Sequence, residues 1–394
     1  MPILVLCGAT CCLLSRPALA ERSLPRAFGL TTFITLTAAV FAVLPNKDSD
    51  GSFCLGVLEE PARFWALFGV TVLGIVLFGL LWHFCRRKRQ WSRILLAGVL
   101  GFSLVYGSLH LSLTKYAQWD VDGNLIAETY DSADAVAAAL PDDAFYRIDA
   151  YGAHNNLGLW FDRSCLQFFN STVAPSIMEF YPAVGVKRDV NSKPDAANYA
   201  LRGLLSVRYT LTARDKVSDW EKQALPGWTK YAETDAYLIY ENENWVPMGF
   251  TYDHYVTEET YDATPEDRRE LLMLKGIVLT EQQIEEWGDM LTELPADQVS
   301  YTTAAYEADC ADRAALTCDT FQYTNTGFTA TISTSRDVPV FFSIPYESGW
   351  SAYVNGEEVD IEQVNVGFMA IRVNAGTDVQ IEFVYETPGL LLGA

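Results

Sequence analysis

The sequence predicts a membrane α-helical segment followed by an extracytoplasmic α+β domain that ends in a small β-sandwich. Three observations carry that prediction. Charge is split along the chain: the 394 residues sum to −22, yet residues 1–115 hold 11 Lys/Arg against 5 Asp/Glu and residues 116–394 hold 17 against 45, nets of +6 and −28. Long apolar runs are confined to the basic part, and past about residue 320 apolar residues recur at every second position, the period of a half-buried strand. A basic apolar block joined to an acidic one describes a membrane part and a soluble part rather than one globule. The expected domains are 1–115, transmembrane helices; 116–318, an extracytoplasmic α/β region; and 319–394, a β-sandwich-like domain. So acidic a soluble part repels phosphates, which argues against a nucleic-acid partner.

Three segments, about Phe28–Leu44, Phe64–Phe84 and Ile94–Leu113, are apolar enough to cross a bilayer, which takes about 20 helical residues. Met1–Leu14 is too short for a full span and reads as the tail of a truncated first helix. The alternative is a signal peptide, since Pro17-Ala18-Leu19-Ala20 resembles a processing site, although a basic leading region is missing. Lys/Arg bias sets the orientation. Arg86-Arg87-Lys88-Arg89 and Arg93, between the second and third spans, belong inside, as do Arg16, Arg22 and Arg26 before the first. The loop with Asp48, Asp50, Glu59 and Glu60 is acidic and belongs outside. Strict alternation then makes the protein multi-pass in the cell membrane, with lipid as a partner and everything after about Leu113 outside the cytoplasm.

In the soluble part, Asp131–Leu140 predicts a short capped helix closed by Pro141-Asp142-Asp143. Phe145–Asp149 opens an α/β region and Gly203–Leu211 is β-rich. Trp228–Ala232 and Ala236–Tyr240 flank a turn at Thr234-Asp235, which predicts a hairpin. Two helix starts follow. Thr264-Pro265-Glu266-Asp267 places a capping Thr before a first-turn Pro, and Thr280 through Gln283 fits a capping box. Ile284, Trp287, Met290 and Leu291 read as one buried stripe. Strands are expected at Phe328–Ser333, Val338–Ile344, Ser351–Val354, Phe368–Val373 and Val379–Tyr385. Asn355-Gly356 supplies the positive φ values of a tight type I′ hairpin after Trp350, and Ala375-Gly376 marks another turn.

Chemistry-bearing motifs are sparse. The eight cysteines and four histidines show no metal-ligand spacing, so no metal is expected. Cys310 and Cys318 lie where an oxidising compartment permits a disulfide, a possible bridge eight positions apart. No nucleotide-binding loop, Gly-x-Ser-x-Gly elbow or His-Glu-x-x-His occurs. Acidic pairs such as Glu285-Glu286 read as solvated faces. The candidate binding patch is Tyr146, Arg147, Asn155, Asn156 and Trp160, because side-chain amides beside an aromatic plane suit hydroxyl-rich sugars. Its bland alternative is an Asn-rich turn with a buried Trp. Asn170-Ser171-Thr172 spells a glycan acceptor.

Taken together, Phe145-Tyr146-Arg147, Asn155-Asn156 leading into Phe168-Phe169-Asn170-Ser171-Thr172, Leu204 through Tyr209, and Tyr240-Glu241-Asn242 followed by Val246 through Phe250 resemble the bacterial YfhO family of integral membrane proteins. The most specific stretch is Ser343-Ile344-Pro345-Tyr346-Glu347-Ser348-Gly349-Trp350-Ser351-Ala352-Tyr353-Val354-Asn355-Gly356, closing with Tyr385-Glu386-Thr387-Pro388-Gly389. The resemblance covers nearly the whole chain. It implies a polytopic glycosyltransferase of the GT-C type that moves sugar from a polyprenyl-phosphate carrier to a cell-envelope polymer such as lipoteichoic acid, outside the membrane. A polyprenyl-phosphate-linked sugar and an envelope glycopolymer are then the implied partners, with no cofactor held in this chain. The family's catalytic carboxylate is expected in a first outer loop near the N-terminus of a longer protein. That region has no counterpart in this sequence, so the chain reads as the C-terminal portion of such a protein, inactive alone, and no catalytic residue carries over. A membrane-anchored carbohydrate-binding or interaction module without catalysis is the alternative.

Overall fold

The computed structural model describes residues 17–47, 53–55, 61–117, 127, 129–188 and 191–389. Met1–Leu14, Cys7, Cys11, Cys12 and the acidic Asp48, Asp50, Glu59 and Glu60 lie outside the described residues. The chain divides into two compact units, Met1–Asp122 and Gly123–Ala394.

Among the described residues, the first unit has helix α1 (Pro17–Phe41), a small antiparallel pair β1 (Pro45–Lys47) and β2 (Phe53–Leu55), and helices α2 (Pro61–Cys85) and α3 (Trp91–Ala117). Within the helices, Arg22–Phe41, Phe64–Phe84 and Arg93–Ser112 are long and apolar enough to span a bilayer. The first helix ends at Phe41, short of the expected Leu44, because the chain turns into β1 at Pro45. Side chains such as Phe33 and Leu104 stand exposed on helix faces, the pattern of a surface whose solvent is hydrocarbon. Thr31, Thr32, Thr35 and Thr37 each donate their hydroxyl to the carbonyl four residues back at 2.8–2.9 Å. Those bonds satisfy polar groups that lipid cannot. Close approach of α2 and α3 depends on Gly74, where a Cβ would fall 2.1 Å from the Phe102 ring.

The second unit opens with helix α4 (Ala133–Ala139), strand β3 (Arg147–Tyr151), helix α5 (Leu157–Phe161), strand β4 (Phe168–Phe169), helix α6 (Pro175–Ala183) and strand β5 (Asn191–Ser192). Helix α7 (Tyr199–Leu204), strand β6 (Val207–Ala213), helix α8 (Val217–Glu221) and the hairpin β7 (Trp228–Glu233) to β8 (Tyr237–Asn242) follow. Four of these strands form a sheet in the order β3-β6-β8-β7, with β3 parallel to β6 and the rest antiparallel. Gly203 and Leu204 end a helix rather than begin the strand, and Ser206 at φ 60° makes the reversal into β6. Local β-propensity yields there because Leu201, Leu204 and Leu205 are buried in the core.

A middle layer contains β9 (Phe250–Thr251), β10 (His254–Thr257), α9 (Glu258–Ala263), α10 (Glu266–Lys275), β11 (Ile277–Leu279), α11 (Glu281–Trp287), β12 (Thr292–Glu293) and α12 (Thr303–Ala314). Strands β11-β10-β12 form a parallel sheet. The Thr280 capping box forms in full: Thr280 Oγ1 accepts from Gln283 N at 3.3 Å and Gln283 Oε1 accepts from Thr280 N at 3.0 Å. Thr264 does not cap α10. Pro265 takes that position, and the Thr264 hydroxyl donates back to Thr260 O at 2.8 Å. Ser132 likewise precedes α4 with its hydroxyl turned to Thr129 O instead of the helix.

The C-terminal strands are β13 (Thr320–Thr324), β14 (Gly327–Thr334), β15 (Val338–Pro345), β16 (Trp350–Val354), β17 (Glu357–Val359), β18 (Glu362–Val364), β19 (Phe368–Val373) and β20 (Gly376–Tyr385). They build an antiparallel sheet β13-β14-β20-β16-β17 and a second one β18-β19-β15-β9. Alternate residues of both, including Phe328, Ile332, Val340, Phe342, Ile371, Ile381 and Phe383, share one apolar cluster. Strand β9, from the middle of the chain, pairs Phe250 with Phe341 of β15. Phe341, Phe368 and Ala370 face the other way, into the core built by α6, α7, α10 and β11.

Asn355 and Gly356 take φ 52° and 84° between β16 and β17, and Asn355 Oδ1 accepts from Gln380 N at 3.0 Å. Trp350 lies against Phe328 and Tyr385 with ring centres 5.8 and 5.0 Å away. The possible Cys310–Cys318 bridge is not formed: both are free thiols. Cys310 is buried in the α/β core and Cys318 packs against the cluster between the two C-terminal sheets, so the side chains serve different cores.

Candidate functional site

Arg147 begins β3, where Ile148 and Ala150 enter the core and pin the strand. Its backbone N–H is bonded to Ser206 O at 2.8 Å, which registers β3 against the turn before β6. The guanidinium then crosses to the C-terminal sheets. Nη1 donates to Leu205 O at 2.7 Å and Ser343 Oγ at 2.9 Å, and Nη2 donates to Ser343 O at 2.9 Å. Every one of those acceptors is neutral, and among the described residues no carboxylate forms an ion pair with it. Burial pushes its pKa down to about 10, which leaves it charged at neutral pH. Arg202 shows the usual alternative, a buried guanidinium neutralised by Asp149 at 2.9 Å.

Arg147 lines a cleft of about 430 Å³ together with Gly158, Leu159, Asp162, Arg163, Ser164, Cys165, Phe168 and Tyr323. Helix α5 and the turn after it form one wall. That turn requires Gly158, where a Cβ would meet Arg163 O at 2.2 Å, and Arg163 N bonds to Gly158 O at 3.0 Å. Arg163 brings a second positive charge; it donates to Asp162 O at 3.1 Å, and among the described residues its ion-pair partner is Asp142 at 3.5 Å, whose side chain is 92% exposed. An exposed pair of that kind is worth little and is easily exchanged for another anion. The Cys165 thiol is pushed up to about 12 by burial, so it is neutral and no nucleophile. Leu159, Trp160, Phe169 and Tyr323 are exposed apolar or aromatic side chains on the surrounding segments.

The structure divides the five expected patch residues. Arg147 lines the cleft. Tyr146 is buried behind it, donating its hydroxyl to Pro141 O and stacking edge-on against Tyr209 at 5.1 Å. Asn156 sits at φ 64° with its amide committed to backbone: Nδ2 donates to Phe169 O at 3.1 Å and Oδ1 accepts from Phe169 N at 2.6 Å. Asn155 is half-buried on the same turn, and Trp160 is exposed with its edge toward Tyr130 at 6.3 Å. The Asn-rich turn is thus a brace for α5, while Arg163, Ser164 and Tyr323 are lining residues that local sequence reading missed. Nothing near Tyr323 in sequence marks it, because it reaches the cleft from β13.

A family model described as "Bacterial membrane protein YfhO" matches residues 11–315 and 297–394. A protein of Bacillus subtilis (strain 168), "Uncharacterized protein YfhO", is 30% identical over 146 residues, a match covering 35% of this chain and 16% of that protein. The matched length is therefore well under two thirds of the relative. No solved structure matches.

Proposed function

From the premise that the chain belongs to the family of the bacterial membrane protein YfhO, we propose that it is the outer, acceptor-holding part of a membrane glycosyltransferase-like protein. The three apolar helices anchor it in the membrane. Clustered Arg86, Arg87, Lys88 and Arg89 between α2 and α3 favour a cytoplasmic loop there, which sends the second unit outside. The two C-terminal sheets, sharing one apolar cluster, are read as a β-sandwich. In this reading a polyprenyl-phosphate sugar supplies the glycosyl group at the membrane. An acceptor hydroxyl attacks the anomeric carbon, the bond to phosphate breaks, the phosphate leaves on its lipid, and the hydroxyl proton passes to a base. The polymer accepting the sugar is an envelope glycopolymer of the lipoteichoic acid type.

One observation carries the acceptor assignment: in a soluble part of net charge −28, a cleft holds Arg147, with no carboxylate partner, beside the lightly paired Arg163. Such a cleft suits a phosphate-linked polymer, because guanidinium groups bind phosphate oxygens through charge-assisted hydrogen bonds. The test is binding of poly(glycerol phosphate) to the full chain in lipid nanodiscs. Arg163→Gln should weaken it at least tenfold while leaving the fold intact. Unchanged binding rejects the assignment, and binding without sugar transfer by the full-length protein returns the reading of a non-catalytic module.

A further inference from the structure

A second cavity in the same unit has the opposite character. Its longer arm, about 680 Å³, runs between α6, α9, β11 and β18, and its shorter arm, about 380 Å³, continues toward the end of β20. Glu179, Tyr346 and Gln363 line both arms, so the two form one groove. Each arm alone is within the about 300–1,000 Å³ of ordinary ligand pockets.

Its polar groups are acceptors held in place. Gln283 Nε2 donates to Glu362 Oε2 at 2.8 Å and to Gln363 O at 3.0 Å, and Gln363 Nε2 donates to Val366 O at 2.6 Å. Tyr385 donates its hydroxyl to Glu347. Those bonds orient the carboxylates of Glu362 and Glu347 while leaving further lone pairs on each. Glu179, where the arms meet, is exposed and has no ion pair or hydrogen bond among the described residues. Ser176, only 3% exposed, lines the shorter arm with a hydroxyl that has no partner among the described residues. Among the described residues that line it, the one cation, Arg269, is committed to the fold through bonds of 2.8–3.1 Å to the carbonyls of Ala183, Thr264 and Asp262.

The balance of groups selects a ligand class. Carboxylates without a free cation repel phosphate, and they accept strongly from hydroxyl or ammonium donors. Aromatic rings at Tyr346 and Tyr385 offer the apolar surface on which the C–H face of a sugar packs. We propose that this groove is a second saccharide site, taking a phosphate-free oligosaccharide whose hydroxyl or amine groups donate to the carboxylates of Glu179, Glu347 and Glu362. The proposal does not depend on the polyanion reading of the Arg147 cleft.

The test is binding to the full chain in nanodiscs, by calorimetry, of cellotetraose, of a glucosamine tetramer and of poly(glycerol phosphate). At least one tetramer should bind, and Glu179→Lys and Tyr346→Ala should each weaken it at least tenfold without changing poly(glycerol phosphate) binding. Glu179 is exposed and unpaired, so its substitution keeps the proposal testable if the Tyr346 variant misfolds. Failure of both tetramers to bind, binding indifferent to Glu179→Lys, or binding abolished instead by Arg163→Gln overturns the site.

Discussion

The Arg147 cleft and the Glu179 groove belong to one acidic unit yet concentrate opposite charges. In the cleft, Arg147 is bonded only to neutral oxygens, a backbone carbonyl and Ser343, and Arg163 is held by the Asp162 carbonyl and an exposed aspartate, Asp142. In the groove, carboxylates are oriented by an amide and a phenol, and the arginine is tied to carbonyls. Net charge therefore excludes partners for a surface as a whole but not for a concavity, where the nearest few groups set the potential.

The largest effect that breaks the comparison is Arg147→Met. It leaves Leu205 O and the Ser343 hydroxyl without their charged donor, and at about 1.5–3 kcal/mol per such bond the expected loss is at least about 3 kcal/mol. Thermal unfolding of the full chain, followed by tryptophan fluorescence, should show the drop, together with loss of poly(glycerol phosphate) binding. Arg163→Gln should weaken the binding at least tenfold and cost no more than about 1.5 kcal/mol of stability, since it removes one hydrogen bond to Asp162 O and an ion pair whose aspartate is exposed.

Next in size is a carboxylate that, unlike those of the groove, is buried. Glu270 has its pKa raised to about 7 by desolvation, against the pull of Arg202 and a hydrogen bond from Asn198. The folded protein keeps that proton between the unfolded value, about 4.3, and about 7, so this group's contribution makes stability fall as pH rises through that window. By pH 8 the loss is on the order of 3 kcal/mol. Glu270→Gln should flatten the unfolding-temperature profile between pH 5 and 8 and raise it at pH 8; an unchanged slope would show that Glu270 is already ionised in the native state.

Smaller effects test the frame that carries both cavities. Gly356→Ala places a side chain at φ 84° where space is open but the backbone is strained, and about 1 kcal/mol should be lost. Thr280→Ala removes the cap of α11, the helix whose Gln283 orients Glu362, at a cost of about 1 kcal/mol. It should also weaken tetramer binding in the groove while leaving the cleft's affinity alone.

The elements read from sequence were those governed by near neighbours. The three apolar runs became helices because a span needs only length and uninterrupted hydrophobicity. The Thr280 box and the Asn355-Gly356 turn formed because their partners lie within three residues. Where β-propensity competed with packing, packing won, and Gly203-Leu204-Leu205 joined a helix end buried in the core; at Thr264 a rival local bond won, its hydroxyl going back to Thr260 O and the cap position to Pro265. Of the expected patch, the single residue that lines the cleft was the arginine, because the asparagine amide and the Tyr146 ring were used to build the turn and the core.

By itself the sequence determined a basic membrane part, an acidic soluble part, the strand periods and the local caps and turns, since each depends on composition or on a few consecutive residues. Tertiary structure alone decided that Arg147 would meet Ser343, 196 positions away, that β9 would join the sheet of β15, and that Cys310 and Cys318 would enter different cores. It also decided that Glu179, Tyr346 and Gln363 would share a groove. Such contacts depend on how buried faces of separate elements fit together, and chain distance carries no record of that fit.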